Sequence, residues 1–267
     1  MTPLRYFVVD AFASEPFTGN PAAVVPLSRW PEDKWLQNVA MEMNLSETAY
    51  FVRSANGFDL RWFTPKVEVD LCGHATLATA KVISHLGLNG DRPEIVFSSR
   101  SGNLLARLRP ECIELDFPLK PELPAEPPAG LVEALGAVPK YVGRNQFDYI
   151  VELESDVVLR SLLPDFKQLA RVECRGIIVT ARSSDPTFDF VSRFFAPAAG
   201  IDEDPVTGSA HCCLADYWRK QLGKSKFTAY QASARGGVIQ VEVVGDRVLL
   251  GGQAVIFAQG ELLLGQI

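Results

Sequence analysis

The sequence predicts an α+β fold made of two related halves. Three observations carry this. A matching block recurs at about half the chain length, each copy heads a helix of similar length, and most of the remainder reads as short strands punctuated by Gly and Pro. The blocks are Arg61-Trp62-Phe63-Thr64-Pro65 against Arg193-Phe194-Phe195-Ala196-Pro197, and Gly73-His74-Ala75-Thr76 against Gly208-Ser209-Ala210-His211. Their offsets, 132 and 135 residues, are close to half of 267. Chance produces single aromatic-Pro matches. Two anchors at nearly equal offsets point to duplication.

The elements follow in order. Residues 5–12 read as a strand, and 17–27 as a Gly-Asn-Pro turn with a short apolar strand. Residues 31–43 read as a helix, with Pro31 in its first turn and Trp35, Leu36, Val39, Ala40 and Met43 at helical spacing. A turn at Asn44-Leu45-Ser46 leads into the next strand, and 58–65 is a strand stopped by Pro65. Residues 74–86 are small or apolar nearly all round, with Lys81 the one formal charge, which predicts a helix buried on every side and closed by Gly87. Strands are expected at 94–98, 103–109 and 112–117.

Five prolines between 118 and 130 mark a linker near the midpoint. The second half repeats the pattern. Strands are expected at 147–153 and 175–181 with a polar helix between them, then a strand at 188–197, a helix at 209–222 ending at Gly223, and short strands to the end. The expected domains are 1–118, joined by a last strand at about 251–267, and 131–250, with 119–130 as the Pro-rich linker.

Composition removes several function classes. At 47% apolar and 22% charged, the chain is globular rather than disordered. A net charge of −6 offers no basic footprint for nucleic acid. No apolar run approaches the roughly 18 residues of a membrane span, and the N-terminus does not read as a signal peptide. The five cysteines include no CxxC pair, which reads as reduced thiols in a cytoplasmic protein. Three dispersed histidines argue against a catalytic metal, and no Gly-rich nucleotide motif is present, so no cofactor is expected.

Titratable groups near the two helix starts are few. Glu47 lies in a Ser-Glu-Thr turn, Cys72 and His74 lead into the first helix, and Asp202, Glu203, Asp204 and Ser209 lead into the second. Each has a plain structural reading: surface carboxylate for Glu47, helix cap for His74 and Ser209, buried small hydrophobe for Cys72, solvated acidic turn for 202–204. The chemical reading is a cleft between the halves. There two electropositive helix starts hold a carboxylate, and acid and base groups move a proton beside a carbonyl.

Five ordered motifs then carry a resemblance: VDAFASEPFTGNPAAVV, NLSETAYFV, RWFTPKVEVDLCGHATLATA, DEDPVTGSAHCCLADYW and QASARGGVIQV. Together they resemble the phenazine-biosynthesis PhzF-like family, which shares the diaminopimelate-epimerase fold with proline racemases. The resemblance implies two pseudo-symmetric domains, each a curved, mostly antiparallel, barrel-like sheet around a central helix. It implies a cofactor-independent isomerase or epimerase acting on a small carboxylate, and a homodimer. Carried onto this chain, it makes Glu47 the general acid/base and places His74, Asp204 and Ser209 as catalytic or substrate-binding groups. It gives Gly73 and Gly208 as backbone N–H donors, and Asn20 as a weaker substrate contact. Cys72-Gly73 also resembles the thiol-bearing Cys-Gly pair of the epimerase and racemase branches. The matching place before Gly208 is Thr207, so a symmetric two-thiol racemase is disfavoured, while a Cys72-assisted epimerase stays open. A non-enzymatic ligand- or protein-binding module on the same fold is the remaining alternative.

Overall fold

The computed structural model describes residues 4–263. The chain forms two compact units. One runs to Asp116 and takes in the chain from Gly251 onward, and the other is Phe117–Leu250.

The first unit comprises β1 (Leu4–Ala11), β2 (Asn20–Leu27), α1 (Asp33–Met43), β3 (Glu47–Ser54), β4 (Gly57–Phe63), β5 (Glu68–Val69), α2 (Gly73–His85), β6 (Glu94–Ser99), β7 (Gly102–Leu108) and β8 (Ile113–Pro118). The second comprises β9 (Leu123–Pro124), α3 (Leu131–Leu135), β10 (Tyr141–Arg144), β11 (Asp148–Glu152), α4 (Asp156–Ser161), α5 (Phe166–Leu169), β12 (Gly176–Arg182), β13 (Phe190–Phe195), α6 (Gly208–Leu222), β14 (Lys226–Gln231), β15 (Gly237–Val244) and β16 (Arg247–Gly252). A last strand, β17 (Ala254–Leu262), returns to pair antiparallel with β1.

The duplication is written into the strand pairing. In the first unit β1–β2 is antiparallel, β2–β3 parallel, β3–β4 antiparallel, β4–β6 parallel and β6–β7 antiparallel. In the second unit β10–β11, β11–β12, β12–β13, β13–β14 and β14–β15 follow the same alternation. Each parallel step needs a crossover. The first is α1 in one unit and α4–α5 in the other, and the second is α2 or α6. The fold is therefore α+β with two pseudo-symmetric units.

In each unit the second crossover helix is the core. Nine of the thirteen residues of α2 are buried, from His74 to Ile83, because Ala, Thr and Leu leave no polar face to turn outward. It packs on β1, β2, β3, β7 and β17, so the first unit's sheet curves round it. Helix α6 is enclosed likewise. Trp218 stacks on Phe190 of β13 and donates to Thr180 of β12 at 3.0 Å, and Tyr217 stacks on Tyr141 of β10 and donates to Glu152 of β11 at 2.6 Å.

The repeated arginines share one task. Arg61 makes a two-pronged pair with Glu68 at 2.7 and 2.7 Å, and Arg193 does the same with Glu203 at 2.8 and 2.9 Å. Glu68 and Glu203 stand 135 residues apart, the offset of the helix starts. Each fork ties the loop that enters the core helix back to the strand before it.

Some expectations shift. Helix α1 begins at Asp33 rather than residue 31, with Glu32 as its N-cap, so Pro31 lies just outside. The expected polar helix at the centre of the second half is two short helices, broken around Pro164, where the missing N–H ends a helix. Residues 119–130, read as a linker, belong to the second unit. There β9 pairs with β10, and the buried Glu122 carboxylate accepts from Tyr141 and Lys220. Strand β10 and helix α3 are too short for their patterns to stand out in the sequence.

Candidate active site

Four sequence-predicted residues come together in the first unit. Asn20 opens β2 and Glu47 opens β3. The parallel register sets Ala22 beside Glu47, so both side chains sit at the same end of the sheet. Cys72 is the N-cap of α2 and His74 is in its first turn. The His74 ring links them. Its Nε2 lies 3.1 Å from Glu47 Oε2, and its Nδ1 lies 3.2 Å from Asn20 Nδ2 and 3.5 Å from Cys72 Sγ. The Glu47 contact is a charge contact, not an aligned hydrogen bond. His74 and Cys72 are buried, and the Glu47 side chain keeps 13% of its exposure, leaving a path to a ligand.

Burial opposes a charge on His74, but the charges of Cys72 and Glu47 outweigh it and hold the imidazole pKa well above its ordinary value. Burial and the Glu47 charge push the Cys72 thiol up, against the pull of His74 and the Ala75 N–H. A thiol shifted upward is uncharged near neutrality. With the thiol neutral, the carboxylate at position 47 is the charge that draws the His74 pKa up.

Glu47, Cys72 and His74 also bring three ligand-type atoms within 4.8 Å of one another. The donor set suits a zinc-like ion. The ring, however, meets Glu47 with one nitrogen and Cys72 with the other, so a single ion cannot use both close contacts without the ring turning.

The second unit carries the other candidates. Thr207 is the N-cap of α6, so the helix starts at Gly208 and Ser209 sits in its first turn, not at the cap. The first turn of α6 has no side-chain cap, and neither has that of α2, so the backbone N–H groups around Gly208 and Gly73 are not taken by a capping side chain. Thr207 turns its hydroxyl to Asp204 Oδ2 at 2.5 Å instead of capping. Gln231, fully buried at the end of β14, bonds to this same loop.

The two units are not chemically alike. By strand register the counterpart of Glu47 on β12 is Gly176, and a Cβ there would lie 2.2 Å from the Phe194 ring. Of the two matching positions, only the one in the first unit has room for a carboxylate side chain.

His211 marks a further difference. Its Nδ1 lies 2.8 Å from the Thr207 carbonyl, which can only accept, so the proton is on Nδ1. Burial pushes its pKa down to about 4, against an ordinary 6.5. Above pH 6.5 the ring is neutral folded or unfolded and adds no pH dependence. As pH falls from 6.5 toward 4 the unfolded chain takes up a proton that the folded chain refuses, and stability drops by roughly 2 kcal/mol by pH 5. Urea unfolding at pH 7 and pH 5 reads this directly. His211→Asn keeps an N–H donor without a titrating ring and is expected to lose that much less stability over the same step.

The chain thus has two pseudo-symmetric α+β units, with a buried carboxylate–imidazole pair beside an uncapped helix start in the first. The model of the phenazine biosynthesis-like protein family matches residues 9–260, and the chain belongs to that family. It is 51% identical over 264 residues to a Halalkalibacterium halodurans protein named as an uncharacterized isomerase, covering 98% of this chain and 99% of that one. A PhzF-family crystal structure from Enterococcus faecalis matches with a TM-score of 0.94 at 42% identity, covering 98% and 100%. A structure from Agrobacterium radiobacter, described as a probable proline racemase, shares the fold alone, with a TM-score of 0.65 at 11% identity, covering 98% and 93%. The chain is accordingly an enzyme of the isomerase class.

Proposed function

We propose that this isomerase moves a proton on a small carboxylate-bearing substrate by general acid–base catalysis, with Glu47 as the acid/base. The observation that carries the proposal is the Glu47–His74 pair, 3.1 Å apart. It supplies a proton acceptor held against an imidazole. Glu47 takes a proton from an activated C–H, and the electron pair passes into the adjacent unsaturated system. The carboxylic acid so formed returns the proton to another carbon, or to the other face of the same one. The bond broken and the bond made are both C–H, so no electron donor or acceptor is consumed. Asn20 steadies the ring from its other nitrogen. The N–H groups of Gly73 and Gly208 are assigned to the substrate carboxylate, because an uncapped helix start favours an anion, and Asp204 and Ser209 to the substrate's hydrogen-bond donors and other polar groups. The test is proton NMR of small unsaturated and α-substituted carboxylates with the enzyme in deuterated water. Enzyme-dependent loss of one C–H signal is expected. No exchange across such a panel would contradict the proposal.

A second reading has its own observation. Cys72 Sγ, 3.5 Å from His74 Nδ1, stands where a thiol could exchange a proton through the ring. The raised thiol makes it the weaker base at neutral pH. Cys72→Ala is therefore expected to keep at least about a third of the wild-type exchange rate, because no more than about 0.7 kcal/mol of barrier rests on it. A loss of a hundredfold or more would move the catalytic role to the thiol.

A further inference from the structure

We propose that Gln231 is a positioning residue that sets, through Thr207, the direction of the hydrogen bond received by Asp204. This rests on the assignment of Asp204 and the start of α6 to substrate contact.

Gln231 is the last residue of β14 and is fully buried. Its amide makes three bonds to one loop. Oε1 accepts from Thr207 N–H at 2.8 Å, and Nε2 donates to the Asp204 carbonyl at 2.7 Å and to Thr207 Oγ1 at 3.2 Å. The orientation is fixed by chemistry. A backbone N–H only donates and a backbone carbonyl only accepts, so the amide cannot be turned over. Thr207 Oγ1 therefore receives from Gln231 and has its own proton free for Asp204 Oδ2. The chain Gln231→Thr207→Asp204 runs one way and ends on a carboxylate oxygen that always accepts.

The neighbouring backbone is pinned in the same style. Asp204 N–H donates to the Phe194 carbonyl at 3.0 Å, the Pro205 carbonyl accepts from Ser233 Oγ at 2.8 Å, and the Thr207 carbonyl faces His211 Nδ1. The duplication marks Gln231 as added to this half. By strand register its counterpart on β6 is Ser99, whose hydroxyl is spent locally on Gly102 and Ser101. The first half enters its helix through Cys72 and needs no such brace.

Gln231→Leu removes all three bonds in a buried setting, and Thr207→Val removes the hydroxyl alone. Each is expected to lower kcat/KM for deuterium exchange about 10- to 100-fold in protein that stays folded by circular dichroism. Thr207→Ser, which keeps the hydroxyl, is expected to stay within about threefold of wild type. Because both residues act through one chain, the Gln231→Leu/Thr207→Val double variant should be no worse than the poorer single. A folded Gln231→Leu enzyme within about twofold of wild type, multiplied losses in the double variant, or Thr207→Ser as damaging as Thr207→Val would each overturn the proposal. If Gln231→Leu does not fold, the Val and Ser variants of Thr207 decide alone. If the wild type exchanges no carboxylate, the functional reading fails instead. Amide hydrogen exchange then still decides the brace: the Thr207 N–H should exchange faster in Gln231→Leu, and unchanged protection would overturn it.

Discussion

Glu47→Gln is expected to lower enzyme-dependent deuterium exchange by about 10²- to 10⁴-fold, the range that a positioned acid/base supplies. The substitution is close to isosteric. It keeps the start of β3 and its register beside Ala22, so the far-ultraviolet spectrum and the thermal midpoint should change little. What it removes is the capacity to take and return a proton. It also removes the negative charge that, against the effect of burial, draws the His74 pKa up. The resulting loss should fall mainly on kcat, since carboxylate contact is assigned to other groups. Single-turnover exchange measured by proton NMR checks this. A rate within a few-fold of wild type would take the acid/base role away from Glu47.

Gly19→Ala should be strongly disruptive for so small a substitution in the first unit. Gly19 has φ +68°, and an added Cβ would lie 2.2 Å from the Ala11 carbonyl oxygen and 2.8 Å from Ala13 Cβ. The obstacle is backbone, and that backbone is the end of β1, where Ala11 pairs with Asn20. Relief requires opening the β1–β2 ladder at the residue that holds the His74 ring. The expected cost is about 3 kcal/mol or more in urea unfolding, with a fall in exchange rate as Asn20 shifts. Gly87 is the internal control. It has φ +65° but nothing within 4 Å of an added Cβ, so Gly87→Ala should cost only about 1 kcal/mol. Equal costs at the two glycines would remove the argument from close approach.

Much of the architecture is legible in the sequence because local chemistry and tertiary role coincide. The all-round apolar run at 74–86 can only be a core helix, and α2 is one. The Arg61/Arg193 match signals duplication, and the structure adds what the arginines do, since their glutamate partners stand in the acidic loops on the way to the next helix. The candidate groups were visible as residue types beside Gly73 and Gly208. Their grouping was not, because Asn20 and His74 are 54 positions apart and meet only because α2 packs on β2. Gln231 opens the QASARGGVIQV motif, where nothing in its immediate neighbours marks it as a site residue. A signal existed: it follows Phe227 and Ala229 on the inward-facing parity of β14, where a polar side chain must find partners. Strand β10, four residues with a glycine, carries too little pattern to be read locally.

The most direct test of the account is a crystal structure of the Glu47→Gln protein holding the carboxylate that the wild type exchanges. The carbon that loses its proton should lie roughly 3–3.5 Å from the side-chain amide at position 47, the approach a reacting pair requires, with the His74 ring still braced by Asn20. That carbon lying beyond reach of position 47 and against Cys72 Sγ instead would contradict the account.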